Sequence, residues 1–243
     1  ILRDQNKGVT IIISPLLALM RNQVEAAERL GINAISINST NTEDWEVHKQ
    51  AVLNNQIDAL LISPERLAND KFMDNVLRPI ADRIGLFVVD EAHCISDWGH
   101  DFRPDYRRIV NILKFMPAGM PVLGTTATAN NRVCEDIVSQ LGDIEIIRGT
   151  LTRKSLILQN IKLKDQASRL AWLKENMKKL PGSGIIYTLT KRDTHLVTEW
   201  LVQCGIQAQY YYSGATSVEL EDTNEYRKSA ENKLYENKIK VLV

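Results

Sequence analysis

The strongest constraint on this chain is an alternation. Short β-branched apolar runs are followed by stretches with helical spacing, almost from end to end. Strands buried on both faces read as continuous apolar runs, and parallel neighbours need a long crossover, usually a helix. The pattern therefore predicts an α/β fold with parallel sheets covered by helices. Thr10–Ile13, Ala34–Ile37, Ala59–Ile62, Leu86–Val89, Val122–Gly124 and Ile144–Ile147 read as the strands of a first series. Between them, Leu16, Met20, Val24, Ala27 and Leu30 form one apolar helical face closed by Gly31. Further helices are predicted over about Glu43–Leu53, where Thr40 and Glu43 suit a capping box, between Pro64 and Ala81, over Tyr106–Phe115 and over Arg132–Leu141. A second series has strands at Ser155–Ile161, Gly184–Tyr187, Gln207–Tyr211 and Ile239–Val243. Its helices are expected over Ala167–Leu180, Asp193–Cys204 and within Val218–Tyr235. Gly149–Lys154 marks the boundary, giving units over 1–149 and 150–243.

Composition narrows the class. Hydrophobic residues make up 44% and charged residues 25%, as in ordinary globular proteins. The three cysteines, Cys94, Cys134 and Cys204, form no C-x-x-C pair, so neither a zinc site nor a disulfide framework is indicated. A reducing compartment is expected: the cytoplasm (the nucleoid, in a bacterium) or the nucleus. No apolar run approaches the roughly 20 residues of a membrane span. Thirty basic and thirty acidic residues cancel, so any nucleic-acid contact must use a local patch rather than net charge. Ile1 at the start and Val243 inside an apolar run both look cut, as in a fragment of a longer protein.

In open parallel sheets, ligands gather beyond the carboxyl ends of the strands. Asp90 and Glu91 stand there, directly after Phe87-Val88-Val89. Asp90 suits a hydrated Mg²⁺, which keeps most of its waters and needs only one or two carboxylates plus phosphate oxygens. Glu91 points elsewhere by strand alternation and can orient the water that attacks a γ-phosphate. His93, just beyond, can couple this site to a neighbouring lobe. Thr125, Thr126 and Thr128 end the next strand, where their hydroxyls can bond the acids. Alone, that string also reads as a turn and helix N-cap. His195 has no metal-ligand partner and reads as a surface residue, and the charges of Glu219–Lys233 as a solvated helix face.

These strings resemble the motifs of RecQ-type DNA helicases of superfamily 2. "SPLLALMRNQ" resembles motif Ia, "SPERL" motif Ib, "VVDEAH" motif II, "TTATA" motif III and "GIIYTLTKRD" motif IV. Most specific is "HCISDWGHDFRPDY", His93 to Tyr106, which is similar to the aromatic-rich loop of that family. The resemblance implies two RecA-like lobes of the P-loop NTPase fold with ATP and Mg²⁺ between them. It implies a monomeric core that moves 3′-to-5′ along single-stranded DNA and opens partly duplex DNA, in repair and recombination. Trp98 and Phe102 would then offer ring faces to unpaired bases, worth ~1–3 kcal/mol per stacked base, and Arg103 would reach a phosphate or a motif acid. Ser14, Ser63 and Arg66 would contact the DNA backbone, positioning it without reading sequence. His93, Thr126 and Thr128 would link lobe states.

The departures are as informative. No G-x-x-x-x-G-K-[ST] string occurs; in the family it precedes motif Ia. Motifs V and VI, with the arginine finger, would follow Lys240–Val243, and zinc-binding and winged-helix regions are missing. Tyr211-Tyr212-Ser213-Gly214 stands where the family often has Tyr-His-Ala-Gly, and Ser217–Glu236 is longer than usual. Other readings stay open: a truncated paralogue that only binds DNA or a partner, an RNA-directed ATPase of superfamily 2, and more distantly a metal-dependent hydrolase using Asp90 and Glu91.

Overall fold

The computed structural model describes residues 8–38, 44–97, 103–142, 144–150, 155–217 and 222–243. The chain divides into two compact units, Ile1–Arg153 and Lys154–Val243.

In the first unit the apolar runs become β1 (Val9–Ile13), β2 (Ala34–Ile37), β3 (Ala59–Ile62), β4 (Ile84–Val89) and β5 (Val122–Gly124). All pair in parallel, in the order β2-β3-β1-β4-β5. The innermost strands carry the most continuous apolar runs, and Ile11, Ile13, Leu60, Ile62, Phe87 and Val89 are fully buried. Each such side chain contributes about 1.5–3 kcal/mol by leaving water. Gly8 opens β1 at φ +86°, where a Cβ would lie 1.9 Å from the Arg83 carbonyl oxygen, so only glycine admits this approach.

Helix α1 (Leu17–Arg29) follows β1, and α2 (Trp45–Leu53) follows β2. The predicted apolar face of α1 buries only Met20 fully, while Leu16 and Leu30 at its ends are exposed. The proposed capping pair Thr40 and Glu43 lies outside the described residues. Between β3 and β4 the expected helices are a series of short turns: a 3₁₀ turn at Pro64–Ala68, α3 (Asp70–Phe72), a π turn at Met73–Leu77 and a 3₁₀ turn at Arg78–Arg83. Pro79, which has no N–H to donate, sits at the start of the last. Asn69 caps α3 by accepting the Phe72 N–H at 2.9 Å. Then come α4 (Arg107–Leu113) and α5 (Asn131–Leu141), whose first turn is capped by Asn130. The predicted strand Ile144–Ile147 pairs with nothing among the described residues, and Ile147 is 87% exposed.

The second unit holds α6 (Gln166–Met177), β6 (Gly184–Ile185), α7 (Lys191–Gln203), β7 (Ala208–Gln209), α8 (Thr223–Tyr235) and β8 (Val241–Leu242). Its parallel sheet has the order β6-β8-β7, around a core that includes Met177, Leu201, Ile206 and Val241. The strands are shorter than the apolar runs that predict them. Ser155–Ile161 is not a strand; Ile157 and Leu158 are each 93% exposed, and the segment has no ladder partner among the described residues. Among the described residues no helix is long and apolar enough to cross a membrane.

Candidate active site

Strand register builds the site. Ile13 pairs with both Ile62 and Val89, and Val89 with Gly124, so β1, β3, β4 and β5 end level. The residues that follow, Ser14, Ser63, Asp90 and Thr125, therefore share one carboxyl edge. Their backbones extend the ladder: Asp90 N–H to the Ile13 carbonyl at 2.9 Å, Ser14 N–H to Ile62 at 3.1 Å and Thr125 N–H to Val89 at 2.9 Å.

The Asp90 carboxylate is the hub. Its Oδ1 accepts the Glu91 N–H at 3.0 Å and the Thr125 hydroxyl at 2.9 Å. Its Oδ2 accepts the Gln23 amide at 3.1 Å and the Ser14 hydroxyl at 3.4 Å. Four donors therefore converge on this one carboxylate. Ser14 is thus fully buried against the acid rather than turned outward toward a phosphate backbone.

Glu91 bends the chain away from the strand. Its backbone is left-handed, φ 49° and ψ 47°, a conformation rare outside glycine, and the turn is secured by Ala92 N–H to the Thr125 carbonyl at 2.9 Å and Cys94 N–H to the Glu91 carbonyl at 2.8 Å. The bend brings Glu91 Oε2 to 3.1 Å from Nδ1 of buried His93. The same nitrogen is 3.0 Å from Thr126 Oγ1 and 3.4 Å from Thr128 Oγ1. The other ring nitrogen, Nε2, lies 3.7 Å from the Cys94 sulfur. The structure thus brings Asp90, Glu91, His93, Thr125, Thr126 and Thr128 into one connected cluster. A cavity of about 440 Å³ opens behind the threonines, between β5, α5 and Ile144–Gly149.

Trp98 and Phe102 lie outside the described residues. Both flanks of their loop are tied to this unit. On one side Asp97 pairs with Arg107, and the Asp136 carboxylate on α5 accepts the Ser96 hydroxyl, the Gln140 amide and the Asp97 N–H. The Ser96 bond above all holds the Asp136 carboxyl below the usual range, with help from Gln140 and Arg107 and against partial burial. On the other side Arg103 donates through Nη1 to the Pro15 carbonyl at 3.0 Å and through its N–H to Cys94 at 3.1 Å. Fully buried Tyr106 donates its hydroxyl to the Asp90 carbonyl at 2.9 Å. Burial, reinforced by the negative charge of its neighbours, pushes the Tyr106 phenol above its ordinary range.

Other expected residues lie apart from the hub. Ser63 is buried, and its carbonyl accepts the Arg66 N–H at 3.0 Å. The Arg66 guanidinium stacks on Trp45 at 3.6 Å and donates to the Asn38 carbonyl at 3.1 Å. In the second unit His195 is not a bare surface residue: it is half-buried, 2.9 Å from the Tyr212 hydroxyl and beside Tyr210. The charged face of α8 is likewise partly engaged, since Tyr211 donates to Glu231 at 2.6 Å and accepts from Arg227 at 2.9 Å.

Among the described residues no three His, Cys, Asp or Glu side chains stand close enough to cage a metal. The donor set here, one hydrogen-bonded carboxylate with a second beside it, fits a hydrated Mg²⁺ shared with phosphate oxygens. Gln23, Tyr106 and Asp136 carry no signal at the level of single residues. They are found only by the bonds they make to the hub and its loop.

The sequence model described as DEAD/DEAH box helicase matches residues 1–137. The ATP-dependent DNA helicase RecQ of Bacillus subtilis is 31% identical over 98% of this chain, which spans 39% of that protein's length. The ATP-dependent DNA helicase Q1 of Mus musculus is 33% identical over 85% of this chain and 33% of its own length. Two solved structures share the fold: a variant of S. cerevisiae Dbp5 bound to RNA and ADP-BeF₃ (17% identity, TM-score 0.69, 98% of this chain and 58% of that one) and the DUF1998 helicase MrfA bound to DNA and AMPPNP (12% identity, TM-score 0.70, 100% and 36%).

Proposed function

The chain belongs to the DEAD/DEAH box helicase family, and on that premise we propose that it is part of the core of a RecQ-type, ATP-dependent DNA helicase. Asp90 holds the hydrated Mg²⁺ of bound ATP, and Glu91 orients the water that attacks the γ-phosphate. With ATP in place, the metal neutralises charge on the phosphate oxygens. The protein's own share is to fix the two carboxylates. The Thr125 hydroxyl and the Glu91 N–H aim Asp90, while His93 and the left-handed turn aim Glu91. Thr126 and Thr128 pass a change at His93 to the segment after β5, and so to the state of the lobes.

DNA contact falls to the loop between Asp97 and Arg103, whose Trp98 and Phe102 stack on unpaired bases. Arg103 secures that loop to the Pro15 turn. On this reading Ser63 and Arg66 contact the phosphate backbone, while the Ser14 hydroxyl donates to Asp90. Translocation runs 3′-to-5′ along single-stranded DNA and separates partly duplex DNA.

The observation that carries this reading is the hydrogen bond from Tyr106 to the main chain of Asp90 at 2.9 Å. It ties the end of the DNA-facing loop directly to the metal-bearing residue. Hydrolysis of ATP by the full-length protein is measured with single-stranded DNA and with single-stranded RNA of the same sequence. DNA stimulates and RNA does not; preferential stimulation by RNA moves the protein to the RNA-directed ATPases, and no turnover with either leaves it a binding module.

A further inference from the structure

Asp90 has no vacant position for a further donor. The Glu91 N–H and Thr125 hydroxyl meet Oδ1, and the Gln23 amide and Ser14 hydroxyl meet Oδ2. A carboxylate offers about four lone-pair positions, so a water of a hydrated ion must replace one of these donors. The Oδ2 contacts are the longer pair, at 3.1 and 3.4 Å, and both come from the segment formed by the end of β1 and α1.

Gln23 differs from the other donors in one respect. Its Oε1 is closed to solvent and meets no donor. Turning the amide over does not mend this, because Oε1 would then face the acceptor-only Asp90. Buried polar atoms are satisfied in the large majority of cases, and an exception calls for a group that arrives later. A water of a hydrated cation is such a group, since toward its surroundings it only donates.

We propose that Gln23 is a positioning residue for the metal-bearing carboxylate. Its amide nitrogen holds Asp90 Oδ2 before nucleotide binds, and its amide oxygen accepts from a water of the hydrated ion afterwards. This rests on the reading of Asp90 as the carboxylate that holds Mg²⁺. It gives the β1–α1 segment a direct grip on the nucleotide site, because the side chain that yields at Oδ2 is rooted in α1.

The test uses the full-length protein and a fluorescent ADP analogue. Mg²⁺ is titrated and the tightening of analogue binding is followed, so no turnover is needed. Gln23→Met keeps the volume and removes both amide functions; Gln23→Asn keeps the amide but shortens its reach, and carries the test should the first variant not fold. Each needs about 10-fold more Mg²⁺ for half of the tightening, at the lower end of what outer-shell partners contribute, while binding in EDTA is unchanged. Variants whose Mg²⁺ titration matches that of the native protein overturn the inference. A native protein whose analogue binding ignores Mg²⁺ overturns the reading of Asp90 beneath it.

Discussion

Glu91 occupies a left-handed backbone position that costs a non-glycine residue on the order of 1–2 kcal/mol. The fold sustains this because the turn is bonded on both sides, to Thr125 and through Cys94. What the strain secures is direction: a strand continued past Asp90 would carry the Glu91 carboxylate away from His93. A function-neutral residue at 91 would therefore be glycine. Glu91→Gly is expected to unfold in urea within about 0.5 kcal/mol of the native chain, relief of strain offsetting the extra freedom of the unfolded state. Glu91→Val, β-branched and ill suited to positive φ, is expected to lose at least about 1 kcal/mol. Equal midpoints for the Gly and Val variants would show that the turn is not strained. At this scale the acids and threonines were legible as a string, since D-E-A-H after an apolar run implies a strand end. The bonds of Ser14 and Gln23 to Asp90 were not, because they join residues 76 and 67 positions apart, through a register no local pattern encodes.

Elements carry the next level of the argument. The β1–β4 pairing sets Ser14 beside Asp90, and α5 holds the outgoing flank of the acidic turn through Asp136. A carboxyl with a lowered pKa in the fold stabilises it above the unfolded pKa, near 4, and that contribution is lost as pH falls through the folded value. Asp136→Asn is therefore expected to be less stable than the native chain near pH 7, with the gap closing below about pH 4; thermal melts across that range check it. A gap independent of pH would mean that the Asp136 charge plays no part. The strands Ala34–Ile37, Ala59–Ile62 and Val122–Gly124 form over the spans their apolar runs predict. Ile144–Ile147 and Ser155–Ile161 carry the same residue types and form none. Composition reports how well a segment would fit a sheet, whereas pairing depends on a neighbour. The short turns between Pro64 and β4 were likewise hidden, since helical spacing does not distinguish one long helix from several turns broken at Asn69 and Pro79.

For the molecule as a whole, the chain divides into two compact units, and the hub lies wholly within the first. The 243 residues contain no G-x-x-x-x-G-K-[ST] string, the backbone cradle and lysine that hold nucleotide phosphates. A polypeptide limited to these residues is expected to hydrolyse no ATP above background; Mg²⁺-dependent turnover stimulated by DNA would contradict this. The family was legible from its strings because four of them, those at Ser14, Ser63, Asp90 and Thr125, mark strand ends that register brings to a common edge. The proposal for the full protein turns on the paired carboxylates at that edge. Glu91→Gln in the full-length protein, assayed for ATP turnover with saturating single-stranded DNA and Mg²⁺, tests them most directly. Binding of ATP is expected to persist while turnover falls by about 100-fold or more. Turnover within about threefold of native would contradict the assignment of Glu91 to the attacking water.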